Sequence, residues 1–466
     1  MEKQLRINSF QMCAPVHNWA GLWRMPGDIA VDYNKLSYWT DMAKTAERGF
    51  LDAIFIADVF GVYDVYGGSP DAALRAGTQL PAMDPTIPIS AMALVTEHLG
   101  FGVTANLSYE HPYQFARRFS TLDHLTNGRI GWNIVTGYLE SGARGMGRAL
   151  QIEHDARYDV AEDFMAACYK LWEHSWEENA VQRDRNTGVF TDPRKVHRIV
   201  HDGPHFKVDG VHLSEPSPQR TPLLFQAGSS ERGRVFAARH AECVFINGPS
   251  KASATKTVSA LRQATQDAGR HPDDITIFLA ANVIVAPTAA EAAELHAEYS
   301  RYTDAVGQLT LVSGWTGIDL SGLEPDDVVP FANSNAIRST AENLTVKAPR
   351  PVHVRDLTTL SSTGARAPFL VGSASDVADA SIEWAEETGV DGFNIPRLSV
   401  PSTLLSVADQ LVPELQNRGR FKTSYTEGTL REKFNGGQSA HLQGSHTGCR
   451  SHSLDQISNS RKGLRS

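Results

Sequence analysis

The sequence predicts an α/β chain closed into a (β/α)8 TIM barrel with long insertions in its βα loops. Two observations carry this reading. Eight short β-branched or aromatic runs alternate with amphipathic helical segments, the pattern of repeated βα units around a parallel sheet. The 466 residues also exceed one ordinary domain, yet suit a barrel with insertions.

In chain order, "LRINSF" (5–10) is the first strand, and "KLSYWTDMAKTAERG" (35–49) follows it as a helix. "DAIFIAD" (52–58) is the second strand. It runs into residues 59–88, which are too long and too rich in Gly and Pro for a tight loop and read as a lid or binding loop. "FGVTANLS" (101–108) and "RIGWNIVT" (129–136) are the third and fourth strands, with "HPYQFARRFSTLDHL" (111–125) as the helix between them. The helix opening "EHDARYDVAEDF" (153–164) comes next, and residues 174–220 read as a second insertion. "PLLFQAG" (222–228), "CVFING" (243–248), "TIFLAANVIV" (276–285) and "VDGFNI" (390–395) complete the set. "SERGRVFAARHA" (230–241) is a helix after the fifth strand, and residues 303–365 are a third insertion. From about 433 the chain is rich in Ser, Gly, His and Gln with little apolar content, so the expected division is a barrel over 1–432 and a disordered tail over 433–466.

Composition narrows the partners. Apolar residues at 41% and charged residues at 21% describe a soluble globular chain. The net charge of −9 is spread without a basic stripe, which argues against nucleic acid or an anionic membrane and for small molecules. Cys13, Cys168, Cys243 and Cys449 form no CxxC pair or disulfide framework, and no signal or transmembrane segment is evident. A cytoplasmic protein, and a homo-oligomer, is expected.

In such a barrel, chemistry sits at the C-terminal ends of the strands. Asp58 closes the second strand as a ligand or as a turn cap. Alternation puts Gly102, Thr104, Asn106 and Ser108 on one face of the third strand, where small polar groups could meet a ligand. After the fifth strand, Ser229 and Ser230 lead straight into a helix, either as an anion site or as plain caps. Ala161, Phe164, Met165, Cys168, Leu171 and Trp172 repeat at helical spacing. Extending that stripe backwards reaches Tyr158 and His154 on the inward face, whereas Asp155 and Arg157 fall off it and read as capping or surface pairing. Four histidines in "HRIVHDGPHFKVDGVH" (197–212) lack metal-site spacing, so no metal is expected. No GxSxG, GxGxxG or Walker A motif occurs at a suitable turn.

"RRFSTLDHLTNGRIGWNIVTGYLESGARGMG", "EHDARYDVAEDF", "EPSPQRTPLLFQAGSSERGR" and "VGSASDVADASIEWAEETGVDGFNI" together resemble the bacterial-luciferase-like flavin monooxygenases. The resemblance spans about residues 5–430. Within the family, the chain is similar to the subgroup of nitrilotriacetate, EDTA, dibenzothiophene-sulfone and dimethyl-sulfide monooxygenases. "FIADVFGVYDVYGGSPDAALR" and "SGWTGIDL" (313–320) lean towards the dimethyl-sulfide type.

The resemblance implies a TIM barrel and an FMN cofactor, supplied as FMNH2 by a separate NAD(P)H-dependent flavin reductase, with O2 as co-substrate. The implied substrate is a small organosulfur or related compound whose C–S or C–N bond is cleaved. A non-catalytic flavin-binding protein, an aminopolycarboxylate or aromatic sulfone monooxygenase, and a deazaflavin user are the alternatives. The implied FMN ligands are Asp58, Thr104, Asn133, His154, Tyr158, Ser229 and Ser230. Relatives often carry Ser where this chain has Gly137, beside the reactive edge of the flavin, so Thr136, Tyr138 or backbone N–H groups are candidates for that task. Trp315 replaces a His of the sulfone enzymes, which implies a small apolar substrate. Phe10, His17, Phe60, Tyr63 and Trp315 are candidates for shaping a dry pocket.

Overall fold

The computed structural model describes residues 3–450 apart from Ser229, 332–335, 347, 349 and 364–365. Eight strands close into one parallel barrel: β1 (Arg6–Met12), β2 (Ala53–Ala57), β3 (Gly100–Asn106), β4 (Ile130–Val135), β5 (Leu223–Ala227), β6 (Cys243–Ile246), β7 (Thr276–Ala280) and β8 (Gly392–Pro396). Each strand pairs with its neighbours in the chain, and β1 closes the ring on β8 with Asn8 opposite Asn394. The reason is visible in the residues. β-branched and aromatic side chains such as Ile54, Ile56, Val103 and Trp132 are fully buried, as strands covered on both faces require.

The helices form the outer layer. They include α1 (Leu36–Arg48), α2 (Pro112–Leu125), α3 (His154–Tyr169), α4 (Glu231–His240), α5 (Lys251–Asp267), α6 (Ala305–Thr316) and α7 (Ala374–Thr388). The α3 stripe is buried throughout, with Ala161, Phe164, Met165 and Cys168 at 0% exposure. The lower barrel interior is filled by phenylalanines. Phe10 meets Phe55 at 5.4 Å and Phe245 at 5.1 Å between ring centroids, and Phe55 meets Phe225 at 5.4 Å, all edge to face.

Three expectations need correction. Residues 174–220 are not in a βα loop. They follow α3 and precede β5, so they lie at the opposite end of the barrel from the site, folded as two hairpins, Val181–Asp184 with Val189–Thr191 and Ile199–Asp202 with Lys207–Gly210. The run 276–285 is not one strand. The barrel strand stops at Ala280, and Asn282–Val285 turns away to pair with Phe369–Gly372.

The expected tail is ordered as far as it is described. A short helix α8 (Leu430–Phe434) places Leu430 and Phe434 against the phenylalanine floor. Leu442 and His446 are buried, the latter held by His240 O at 2.9 Å. A few well-placed anchors outweigh the polar composition of that stretch. Residues 451–466 lie outside the described residues. Among the described residues, no helix is long and apolar enough to cross a membrane.

Candidate active site

The C-terminal ends of the strands surround a cavity of about 340 Å3, within the roughly 300–1,000 Å3 usual for ligand pockets. It gathers Asp58 after β2, Thr104 in β3, Asn133 in β4, and Thr136, Gly137 and Tyr138 just beyond β4. His154 and Tyr158 come from the first turns of α3, Ser230 from the start of α4, His17 from the loop after β1, and Trp315 from α6. Ser229 lies outside the described residues. Residues far apart in the chain meet because every βα loop rises from the same rim.

One end of the cavity is where the first turns of α3 and α4 meet. Ser230 caps α4, its Oγ accepting from Gly233 N at 3.1 Å. The Tyr158 hydroxyl hydrogen-bonds to Ser230, and burial raises the Tyr158 pKa, so it stays a neutral phenol. A Cβ at Gly233 would lie 2.8 Å from the Tyr158 hydroxyl and 2.9 Å from Ser230 Oγ, so glycine keeps this corner open. His154 packs its ring edge to face on Tyr158 at 5.5 Å, with Nδ1 2.7 Å from Asp155 Oδ1. Backbone N–H groups at the helix start, with hydroxyls around them, suit a phosphate.

In the middle of the cavity, Asn133 Nδ2 donates to Thr104 Oγ1 at 2.7 Å. That leaves Asn133 Oδ1 buried without a partner, and Gln226 Oε1 is in the same condition. Unsatisfied buried acceptors are costly, and both line the cavity. A flavin brings an imide N–H, carbonyl acceptors and a phosphate, so the residues present fit that group.

Gly137 has φ +69°, and a Cβ there would fall 2.5 Å from Asn106 Nδ2. A serine at this position is therefore disfavoured by backbone and neighbour together, because Asn106 is itself held as a cap accepting from Ser108 N at 2.9 Å.

The other end is aromatic. The Tyr63 and Tyr138 hydroxyls lie 2.6 Å apart, Tyr63 donates to Gln79 Oε1 at 2.9 Å, and Gln79 Nε2 donates to His17 O at 2.6 Å. Burial, reinforced by Arg397 and Arg366, pulls the His17 pKa down to about 3, so its imidazole is neutral. Its Nδ1 is buried without a partner. Burial pushes the Cys13 thiol up, which removes it as a nucleophile.

Asp58 is the acid of the cavity. Burial, with the charge of Asp84 beside it, lifts its pKa to about 7 against one opposing hydrogen bond from Val59 N. Below that pH it is a neutral carboxyl able to donate; above it, it is an anion facing an anionic ligand. FMN affinity is therefore expected to fall roughly tenfold as pH rises from about 6 to about 8. The Asp58→Asn protein, measured by flavin fluorescence quenching, should lose the part of the step that Asp58 causes. An identical step in both proteins would remove Asp58 from the site.

Some residues of the cavity escaped sequence reasoning. Arg157, assigned to capping or the surface, is 2% exposed, lines the cavity and donates to the Gly137 carbonyl. Its position off the hydrophobic stripe hid it. Gln226 stands alone in an apolar strand, a signal that could have been used. Gln79 sits in the 59–88 insertion and Arg366 just beyond the 303–365 insertion, where no periodicity marks them. In the 197–212 stretch, His201 meets Asp163 at 2.8 Å and His212 meets Ser120 at 2.9 Å.

The model of the luciferase-like monooxygenase family matches residues 9–392. Dimethyl-sulfide monooxygenase of Hyphomicrobium sulfonivorans is 46% identical over 447 residues, 96% of this chain and 93% of that protein. Long-chain alkane monooxygenase of Geobacillus thermodenitrificans (strain NG80-2) is 44% identical over 450 residues, 97% of this chain and 98% of that protein. A crystal structure of riboflavin lyase with modified FMN and riboflavin superposes with a TM-score of 0.91 at 35% identity, covering 97% of this chain and 100% of that one. With the barrel and its rim residues, these matches make this chain a member of the luciferase-like monooxygenase family, a flavin-dependent monooxygenase.

Proposed function

We propose that this protein is the oxygenating component of a two-component system, receiving reduced FMN from a separate NAD(P)H-dependent flavin reductase. With O2 it oxidises and cleaves a small organosulfur or related compound at a C–S or C–N bond. The observation that carries this reading is the convergence of Thr104, Asn133, His154, Tyr158 and Ser230 on one cavity with unsatisfied acceptors inside it.

Reduced FMN, when bound, supplies the chemistry that activates O2. The protein's part is to bind, orient and keep water out. His154, Tyr158, Ser230 and the first turn of α4 hold the phosphate. Thr104, Asn133 and the neutral carboxyl of Asp58 offer hydrogen bonds to the ring system. Beyond β4, backbone groups of Thr136 and Gly137 replace the serine hydroxyl of relatives. Tyr63 and Tyr138, both kept as phenols by burial, close a dry aromatic end for the substrate.

The test mixes the protein with FMN, a flavin reductase, NADH, O2 and a panel of sulfides, sulfones, an n-alkane and aminopolycarboxylates. Oxidised product that requires every component is the expected result. Tight FMN binding without product from any compound would overturn the reading in favour of a flavin-binding protein, and preference for a deazaflavin would overturn the choice of cofactor.

A further inference from the structure

Arg366 stands apart among the cations of this fold. Its guanidinium lies over Trp315, with its carbon 4.0 Å from the ring centroid, and it lines the cavity. Trp315 is 4% exposed, so the stack is built into the wall. Among the described residues, Arg366 makes no salt bridge and no hydrogen bond. The ionisable groups around it are the phenols of Tyr138 and Tyr63, both kept neutral by burial, and the neutral imidazole of His17.

Two buried arginines, Arg129 and Arg431, are richly partnered, whereas Arg366 is half-buried. Arg129 donates to Thr126 O, Thr96 Oγ1, Leu99 O, Ala93 O and Thr96 O, and Arg431 grips Glu242 with both arms. A guanidinium facing an enclosed cavity loses part of its hydration, and an anion entering that cavity restores a partner to it. Asp58, the acid of the cavity, forms no ion pair with Arg366 among the described residues. Arg366 keeps company with Trp315, Tyr63 and Tyr138, whereas the corner proposed for the phosphate is built from Tyr158, Ser230 and Gly233.

We propose that Arg366 receives an anionic group of the substrate, so that the compound oxidised is an organosulfur acid, a thioether bearing a carboxylate or sulfonate, and not a neutral sulfide. This rests on the monooxygenase reading above for the fate of the substrate, though not for its binding. The contact with Trp315 holds the guanidinium at the cavity wall, and a guanidinium can pair with two oxygens side by side. Trp315, which by itself suggests an apolar pocket, becomes the backing of a cation.

The test measures binding of S-methyl thioether carboxylates of increasing chain length, and of their methyl esters, by tryptophan fluorescence in the apo and FMN-loaded protein. The best acid is expected to bind about tenfold or more tightly than its ester. Arg366→Met, which keeps the packing on Trp315, should erase that preference, and Arg366→Lys should restore part of it. FMN affinity should be the same in all three proteins. Equal binding of acid and ester, binding of no acid in the series, or a preference that survives Arg366→Met would overturn the proposal. Loss of FMN binding in Arg366→Met would also overturn it, by giving the arginine to the cofactor. Failure of the unsubstituted protein to bind FMN is read separately from flavin absorbance and bears on the monooxygenase reading alone.

Discussion

Replacing His154 by Ala and Tyr158 by Phe in one chain is expected to weaken FMN binding by roughly 100-fold or more, while the protein still unfolds close to its original temperature. Two hydrogen bonds to an ionised phosphate are worth about 1.5–3 kcal/mol each, and the variant removes both without disturbing the core. The Tyr158 ring packs on Phe236 at 5.6 Å, and Phe keeps that contact. His154 stands at the helix start, where Glu153 caps the chain by accepting from Asp155 N and Ala156 N, so its loss leaves the cap in place. Isothermal titration with FMN beside a thermal melt checks both halves. Unchanged affinity would show that the phosphate binds elsewhere; a large drop in melting temperature would make the effect structural.

The second large effect lies at the other end of the barrel. Arg431 is 1% exposed, its Nε and Nη2 lying 2.7 Å and 2.9 Å from the two carboxylate oxygens of Glu242, and it also donates to Ala440 O and Pro222 O. Arg431→Met leaves a buried carboxylate without its cation, a change that costs about 3–5 kcal/mol.

The pH dependence separates charge from packing. Burial raises the Glu242 pKa, but the charge and hydrogen bonds of Arg431 outweigh it and hold the carboxyl below its ordinary value of 4.5. A depressed folded pKa contributes stability that is present above the unfolded value and lost as pH falls through the folded one. In Arg431→Met, burial acts almost alone, so the deficit is expected to be greatest at neutral pH and to shrink below about pH 4.5 as Glu242 takes up a proton in both states. Urea unfolding at about pH 7 and about pH 4 measures it, and adding Glu242→Gln should recover part of the loss. A cost below about 1 kcal/mol at neutral pH, or one that does not change with pH, would deny the pair its role.

Much of this was legible in the residues. The eight strands announce themselves because a parallel sheet buried on both faces leaves short apolar runs that loops and amphipathic helices cannot imitate. His154 and Tyr158 were legible for a related reason, since the 3.6-residue period carries the buried stripe of α3 back to its first turn. Arg157 shows where this fails. It lies off the stripe yet is buried, because the carbonyl of Gly137 and the cavity wall come to it from another part of the chain. Residues 433–449 fail in the opposite sense, polar in composition but anchored by Leu430, Arg431, Phe434 and His446 on surfaces that local composition does not register.

The sequence by itself determined the order of βα units, the rim from which function must arise and the family chemistry its motifs resemble, because these depend on periodicity and local turn preference. Only the tertiary structure decided that a Cβ at Gly137 would collide with Asn106, that burial lifts the Asp58 pKa to about 7 and that Arg366 lies over Trp315 at the cavity wall. Those facts depend on which charges and side chains become neighbours once water is excluded, and separate strands, loops and helices supply them.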